Sequence, residues 1–243
     1  MIARVLFIVF QIIAGLSSIA GWLFIFFGDK TNRMIALGLM CICLLSLFIS
    51  LLFAIFYYVR VNNPAPHIVD SAYARLEYIG PSNGNYDFFK TLQNKRIYMS
   101  EYTQFLNWTG SAIKNLSSAL SDDVEVKHVA GSLYEFRCKF KKPLLFNQMT
   151  TIHLNMDLED AFDCSQPWLS QDIKLPTNLL YMSVVLKYKP QDYAEAAKVT
   201  KKSLDKSSSI EEIWSIPFEQ STKSYTFKIH PEPGYSYRMY WKK

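Results

Sequence analysis

The sequence predicts a membrane hairpin of two transmembrane α-helices followed by a soluble, mainly antiparallel β domain, a sandwich or a small barrel, with a helical insertion. Three observations predict this class. Two uncharged apolar runs occupy residues 5–27 and 34–59, much of the later chain alternates apolar and polar residues, and one stretch between them has helical spacing. The corresponding parts are a hairpin over 1–60, a linker over 61–72 and a β-rich domain over 73–243.

Each apolar run is longer than the roughly 20 residues that an α-helix needs to cross a bilayer core. The segment 28–33 between the runs is short and mostly polar, which predicts a tight turn. It would join two helices, each of which makes its backbone hydrogen bonds internally, as the bilayer core requires. A cleaved signal peptide is the alternative for the first run, but its apolar region would span only roughly 7–15 residues. We therefore expect the first helix to be retained in the membrane.

The first helix carries small residues at a spacing that favours close helix association. Ala14 and Ser18 are four residues apart, and so are Ser17 and Gly21, and such pairs let helix backbones approach each other in lipid. Gln11 is the strongly polar side chain of this run, and in an oligomer it could line a polar seam with Ser17 and Ser18. These five residues are the predicted membrane-helix association site, either within the hairpin or between protomers of a homo-oligomer.

Flanking charges favour a cytoplasmic β domain. Both ends of a hairpin lie on one side of the membrane, where Arg4, Arg60 and Arg75 outnumber Lys30 and Arg33 of the turn. Positively charged flanks are enriched on the cytoplasmic side, so the C-terminal domain is expected there.

The start of the soluble part is predicted as a linker, a strand and a helical insertion. Pro64 and Pro66 indicate a short, stiff linker, and residues 73–80 a first strand that ends in a turn-rich segment. A helical segment is expected at 87–120 because apolar residues recur there at helical spacing. The residues that define its apolar faces are Phe88, Phe89, Leu92, Tyr102, Phe105, Leu106, Ile113, Leu116 and Leu120.

Beyond residue 120 the apolar residues recur with a period of two, which predicts strands with one buried and one solvated face. Further strands are expected at 124–129, 181–188 and 214–218, giving roughly eight in all. Short turns between them favour an antiparallel sandwich or a closed barrel. The alternating sets are Tyr134, Phe136, Cys138 and Phe140; Ile152, Leu154, Met156 and Leu158; Tyr225, Phe227 and Ile229; and Tyr235, Tyr237, Met239 and Trp241.

The charge of the soluble part argues against a surface that binds duplex nucleic acid. Of the 26 Lys and Arg and the 21 Asp and Glu residues, only Arg4, Lys30, Arg33 and Asp29 precede residue 60, which leaves 23 positive and 20 negative residues. A duplex-binding protein concentrates basic residues on one face. The net charge of +3 is compatible with a small anionic ligand.

The sequence contains no motif for catalysis, metal binding or cofactor binding, so we expect a protein that is not an enzyme. It has no G-x-x-x-x-G-K-[ST] loop, no G-x-G-x-x-G, no G-x-S-x-G elbow and no H-E-x-x-H. Cys138 and Cys164 form no C-x-x-C pair and are either one disulfide or two thiols. A hydrolase that uses Cys138 with a histidine is the remaining enzymatic hypothesis.

Tyrosine and arginine residues on the polar faces of predicted strands are the candidate ligand-binding residues. They are Arg137, Tyr181, Arg238 and Tyr240. A tyrosine ring can stack on a base, and the guanidinium fork of arginine can bind a phosphate. These four residues therefore predict a site for a small anion.

The order of a membrane hairpin at 5–59 and a β-rich domain at 73–241 resembles the two-transmembrane β-rich effectors of bacterial cyclic-oligonucleotide antiviral signalling. The resemblance implies an inner-membrane protein whose cytoplasmic domain senses a cyclic nucleotide and whose helices then oligomerise to disrupt or permeabilise the membrane. The implied partners are the lipid bilayer, further copies of the chain and a cyclic oligonucleotide. The alternative is a non-enzymatic, membrane-anchored β-sandwich that binds a protein partner.

Overall fold

The computed structural model describes residues 11, 15, 19, 21, 22, 26, 29–118, 123–161, 165–205 and 209–242. The chain divides into two compact units, Met1–Pro64 and Ala65–Lys243. The described part of the first unit is helical, and the second unit is built from β-strands.

The N-terminal unit contains a helix that is long and apolar enough to cross a membrane. Helix α1 (Lys30–Asn62) has 33 residues, and the mean hydropathy reaches 2.9 within Arg33–Asn62. The helix is this long because residues 34–59 contain neither charge nor proline, and Arg60 in its last turn complements the negative end of the helix dipole. Most of the predicted first helix, residues 5–27, lies outside the described residues, so the hairpin stays a prediction.

The larger sheet of the C-terminal unit has six strands. They are β1 (His67–Tyr78), β2 (Asn83–Asn94), β4 (Ala112–Ser117), β7 (Met149–Glu159), β9 (Thr177–Leu186) and β12 (Ser224–Ile229). Their order in the sheet is β12-β9-β1-β2-β7-β4. β1 pairs in parallel with β9, whereas the other pairs of this sheet are antiparallel.

Two smaller antiparallel sheets form the opposite layer. One consists, in order, of β3 (Tyr98–Asn107), β6 (Leu133–Leu145) and β5 (Asp123–Ala130). The other consists, in order, of β11 (Ile210–Ile216), β10 (Ala197–Ser203), β13 (Tyr235–Tyr240) and β8 (Trp168–Ile173). β3 and β8 are thus edge strands of separate sheets, and no strand pairing joins them in the described part of the chain.

One hydrophobic core lies between the two layers, as expected for a sandwich of open sheets rather than a closed barrel. The alternating patterns over β6, β7, β12 and β13 are confirmed, because their inward side chains are buried. Phe136, Cys138, Ile152, Met156 and Met239 are each 0% exposed. Their burial supplies the main driving force for packing the layers.

The predicted helical insertion at 87–120 is wrong, since β2, β3 and β4 occupy this stretch. Phe88 and Phe89 were expected on one helical face, but adjacent strand residues point to opposite faces of a sheet. Phe88 is 0% exposed in the core, whereas Phe89 packs on the outer face against His153 at 4.3 Å between ring centroids. Pairing of β2 with β1 and β7 satisfies its backbone from both sides, which overrides the local helical spacing.

The predicted linker is also displaced. Residues 61–72 were expected to be a linker, but α1 continues to Asn62 and β1 begins at His67. Only residues 63–66 lie between these two elements, and both prolines of the segment fall among them. The prolines mark the end of the helix because they cannot continue its hydrogen bonding.

Candidate functional site

A cavity of about 370 Å³ opens between β3 and β8. Its floor is formed by inward side chains of β1 and β2, including Leu76, Tyr86 and Lys90. Its two walls are residues 102–109, which are β3 and the residues after it, and residues 168–175, which are β8 and the residues after it. The cavity is therefore a cleft in the split layer of the sandwich, and we call it the β3–β8 cleft.

The two walls border the cleft with the backbone edges of their strands and not with one side-chain face. Side chains of a strand alternate between its two faces, so a strand that lines a cavity with one face contributes every second residue. Here each wall contributes an unbroken run of eight residues, 102–109 and 168–175. The backbones of β3 and β8 on the sides away from β6 and β13 accordingly border the cleft.

Lys90 places an ammonium group at the floor of the cleft without a carboxylate partner among the described residues. Its Nζ donates to the Tyr102 hydroxyl and to Gln104 Oε1, both at 2.9 Å. The amine also lies 5.2 Å from the centre of the Phe88 ring and 5.5 Å from that of Tyr102. Burial disfavours the charged amine and lowers the pKa of Lys90 to about 8, so it is still largely protonated at pH 7.

His67 lies beside this cation and is neutral at pH 7. Its ring meets the ring of Tyr102 edge to face, with centroids 5.5 Å apart. Burial, followed by the nearby charge of Lys90, lowers the pKa of His67 to about 4. The imidazole therefore adds hydrogen-bonding capacity to the cleft but no charge.

A second cation lies on the β8 wall. The Arg238 guanidinium stacks 4.5 Å from the Trp168 ring centre, and its Nη1 donates to the Tyr240 hydroxyl at 3.4 Å. No carboxylate pairs with Arg238 among the residues that the structure describes. Because Lys174 and Asp172, both exposed, offset each other in charge, the lining of the cleft carries a net charge of +2 at pH 7.

A buried donor lies beside the cleft. Trp108 is 7% exposed and lines the cleft, and its Nε1–H has no acceptor in the described part of the protein. A buried N–H group without a partner costs about 1–3 kcal/mol. Nearby, Gln171 donates to the Tyr86 hydroxyl at 3.2 Å and is thereby satisfied. The cleft thus offers two cations to the acceptor groups of a ligand, whereas the Trp108 Nε1–H is buried beside it.

The four predicted ligand-binding residues are distributed over three sheets. Arg238 and Tyr240 lie together on β13, and Arg238 lines the cleft. Tyr181 lies on the outer face of β9 and stacks on Tyr73 at 4.9 Å. Arg137 lies on β6 and bonds to Glu135 at 3.1 Å. The structure therefore brings Arg238 and Tyr240 together and leaves the other two outside the cleft.

Sequence reasoning missed Lys90, His67 and Trp108. The signal for Lys90 was a lysine in phase with Tyr86, Phe88 and Leu92, that is, a charge on the inward face of a strand. This signal becomes visible only when residues 83–94 are read as a strand rather than as part of a helix.

The other predicted site residues lie elsewhere or outside the described residues. In the membrane-helix association site, Gln11 is exposed and Gly21 is buried, while Ala14, Ser17 and Ser18 are outside the described residues.

The cysteines give no active-site arrangement among the described residues. Cys138 is 0% exposed and pairs in register with Tyr102, and a buried thiol is a poor nucleophile. Cys164, the other half of the predicted disulfide or thiol pair, is outside the described residues. No group of three or more His, Cys, Asp or Glu residues that could hold a metal ion occurs in the described ranges.

No protein-family model matches the sequence, and no curated protein sequence matches it. Among solved structures, the chain is similar to a Parabacteroides distasonis protein at 8% identity and a TM-score of 0.44, with 72% of this chain and 40% of that chain covered. It is similar to an M1 zinc metallopeptidase from Deinococcus radiodurans at 10% identity and a TM-score of 0.37, covering 72% and 42%. Baculovirus P35 gives 10% identity, a TM-score of 0.38 and coverage of 74% and 99%. The chain spans less than half of the first two proteins, and at these TM-scores the similarities support no inference about fold or activity.

Proposed function

We propose that this protein is a membrane-anchored binding protein whose β domain captures an anionic ligand in the β3–β8 cleft. The observation that carries the proposal is the Lys90 ammonium, which is desolvated at the cleft floor and, among the described residues, bonded only to neutral partners. A carboxylate or phosphate that reached this amine would form the charge-assisted hydrogen bonds that no described residue makes with it.

Helix α1 supports the membrane anchor. Its uncharged stretch of 26 residues, 34–59, exceeds the roughly 20 residues that span a bilayer, and its apolar side chains find no cover within the described residues. A long helix that is hydrophobic all round is expected in a membrane rather than at a protein surface. Anchoring through a helix that precedes the β domain in the sequence would confine ligand capture to the membrane surface.

The identity of the ligand as a cyclic oligonucleotide, and membrane disruption by assembled helices in antiviral defence, remain predictions. Arg238 supports the nucleotide hypothesis, because an arginine stacked on an aromatic ring suits a phosphate next to a base. Liposomes that contain the protein and an encapsulated dye test the membrane part of the hypothesis. Dye release on adding a cyclic oligonucleotide would support it, and sealed liposomes at saturating ligand would contradict it.

Thermal unfolding of the full chain in lipid nanodiscs, followed by tryptophan fluorescence, tests ligand capture. The ligands are inorganic phosphate, succinate, cyclic di- and trinucleotides, and a mixture of acidic heptapeptides. A ligand at 100 times its dissociation constant adds about 2.7 kcal/mol of stability and raises the unfolding midpoint. The proposal expects this shift in the wild type and in Lys228→Met, an exposed lysine on β12 outside the cleft, and its loss in Lys90→Met. It is refuted if every ligand leaves the midpoint of the wild type unchanged.

A further inference from the structure

We propose that the β3–β8 cleft is a strand-addition site that binds an extended, acidic peptide segment of a partner protein. The inference rests on the proposed capture of an anionic ligand and specifies the class of that ligand. The inserted segment would pair with both walls at once and join the two smaller sheets into one layer, β11-β10-β13-β8-segment-β3-β6-β5.

The first argument is the pairing capacity of the walls. A strand edge presents a row of N–H and C=O groups, and a β domain normally blunts or covers such an edge. Here two edges from different sheets border the same cavity, and no backbone hydrogen bond crosses between them among the described residues. A globular small molecule would use few of these groups, whereas an extended peptide can use them along its whole length.

The second argument is the direction and length of the walls. At one end, the Gln166 amide donates to Thr109 Oγ1 at 3.1 Å, so the end of the β3 wall meets the start of the β8 wall. At the other end, the His67 ring packs on Tyr102, at the start of the β3 wall. The Val69 amide, two residues after His67, donates to the carbonyl of Pro176, just after the end of the β8 wall. The walls therefore run antiparallel. Eight residues at roughly 3.3 Å each give a wall of about 26 Å, the length of a seven- to eight-residue strand.

The third argument is charge. In an inserted strand, every second side chain faces the floor of the cleft, where Lys90 lies. A glutamate or aspartate at one such position would accept hydrogen bonds from the Lys90 amine. The same cleft also presents Arg238, and a basic segment would place like charges next to two cations that have no carboxylate partner in the described part of the chain. Charge complementarity therefore favours an acidic segment with a carboxylate at one of the positions whose side chains face the cleft floor.

Selection from a random heptapeptide library on the full chain in nanodiscs tests the inference. We expect at least tenfold enrichment of Asp or Glu at one position among bound peptides, and loss of that enrichment on Lys90→Met but not on Lys228→Met. N-methylation of alternate amides in the most enriched peptide then tests backbone pairing. Because a strand inserted between two walls uses alternate amides on opposite sides, methylating either set should weaken binding at least tenfold while leaving the side chains unchanged.

The outcomes separate this inference from the proposed function. If no peptide is enriched while phosphate or a cyclic nucleotide stabilises the protein through Lys90, strand addition is refuted and anion capture stands. If neither peptides nor small anions bind, both proposals fail. Enriched peptides that bind equally well after methylation of both amide sets would refute strand pairing. Competition of the peptides with self-association of the chain would assign the cleft to a second copy and overturn the partner-protein assignment.

Discussion

Raising the pH from 7 to 10 should stabilise the β domain through Lys90. The folded protein binds the Lys90 proton with a pKa of about 8, whereas the unfolded chain has the ordinary value of 10.5. Between these values the unfolded chain holds a proton that the folded protein has released, so the free energy of unfolding rises with pH. The linkage relation gives about 2.5 kcal/mol between pH 7 and pH 10.

Urea unfolding followed by tryptophan fluorescence at pH 7, 8, 9 and 10 measures this change, and Lys90→Met is the matched variant. Methionine matches the unbranched apolar stem of lysine and lacks the amine, while Tyr102 still bonds Gln104 at 3.2 Å. Buried tyrosines such as Tyr86 and Tyr225 have raised pKa values and oppose the trend at the alkaline end, but they act equally in both proteins. The wild type should therefore gain about 2.5 kcal/mol relative to the variant across this range. Parallel curves for the two proteins would refute the desolvated amine at the cleft floor.

Three further substitutions test other parts of the domain. Gly110→Ala should cost about 1–3 kcal/mol by urea unfolding, because a Cβ would lie 2.3 Å from a buried indole, and Gly80→Ala, in open space, should be nearly neutral by comparison. His67→Phe should reduce the loss of stability as the pH falls from 6.5 to 4, since the wild-type imidazole takes up a proton only on unfolding in this window; an identical acid midpoint would contradict this. Asn94→Ala should lower the free energy of unfolding by about 2–4 kcal/mol, seen as a lower thermal midpoint, because the Asn94 amide makes three hydrogen bonds while fully buried. The exposed Asn178→Ala, which removes one such bond, is the control and should cost under about 1 kcal/mol.

The strands with strong alternation and the first strand could be predicted from the sequence, and the stretch from β2 to β4 could not. In β7, four apolar residues in strict alternation leave one interpretation, whereas Phe88 and Phe89 are adjacent and fit a helical face equally well. Long-range pairing decides such ambiguous segments, and it cannot be read from local spacing. Phe89 is apolar yet lies on the outer face because His153 and Tyr73 cover it there.

The cleft was beyond sequence reasoning for a related reason. Its walls, 102–109 and 168–175, are separated by about sixty residues, and their proximity depends on the pairing order of three sheets. The sequence analysis selected arginines and tyrosines by face alone, so it included Arg238 on the cleft but also Arg137 and Tyr181 away from it. A functional residue is easier to find when its strand is correctly assigned, as Lys90 illustrates.

The parallel pairing of β1 with β9 also delays the completion of the six-stranded sheet during synthesis. Val69 pairs with Thr177, so the ribosome must add more than one hundred residues before the central strand finds its second neighbour. At roughly 5–20 residues per second, this delay lasts about 5–20 s, during which helix α1 has already emerged ahead of β1. The nascent β1–β2 hairpin therefore keeps an unpaired β1 edge during this interval, and an unpaired strand edge can pair with strands of other chains.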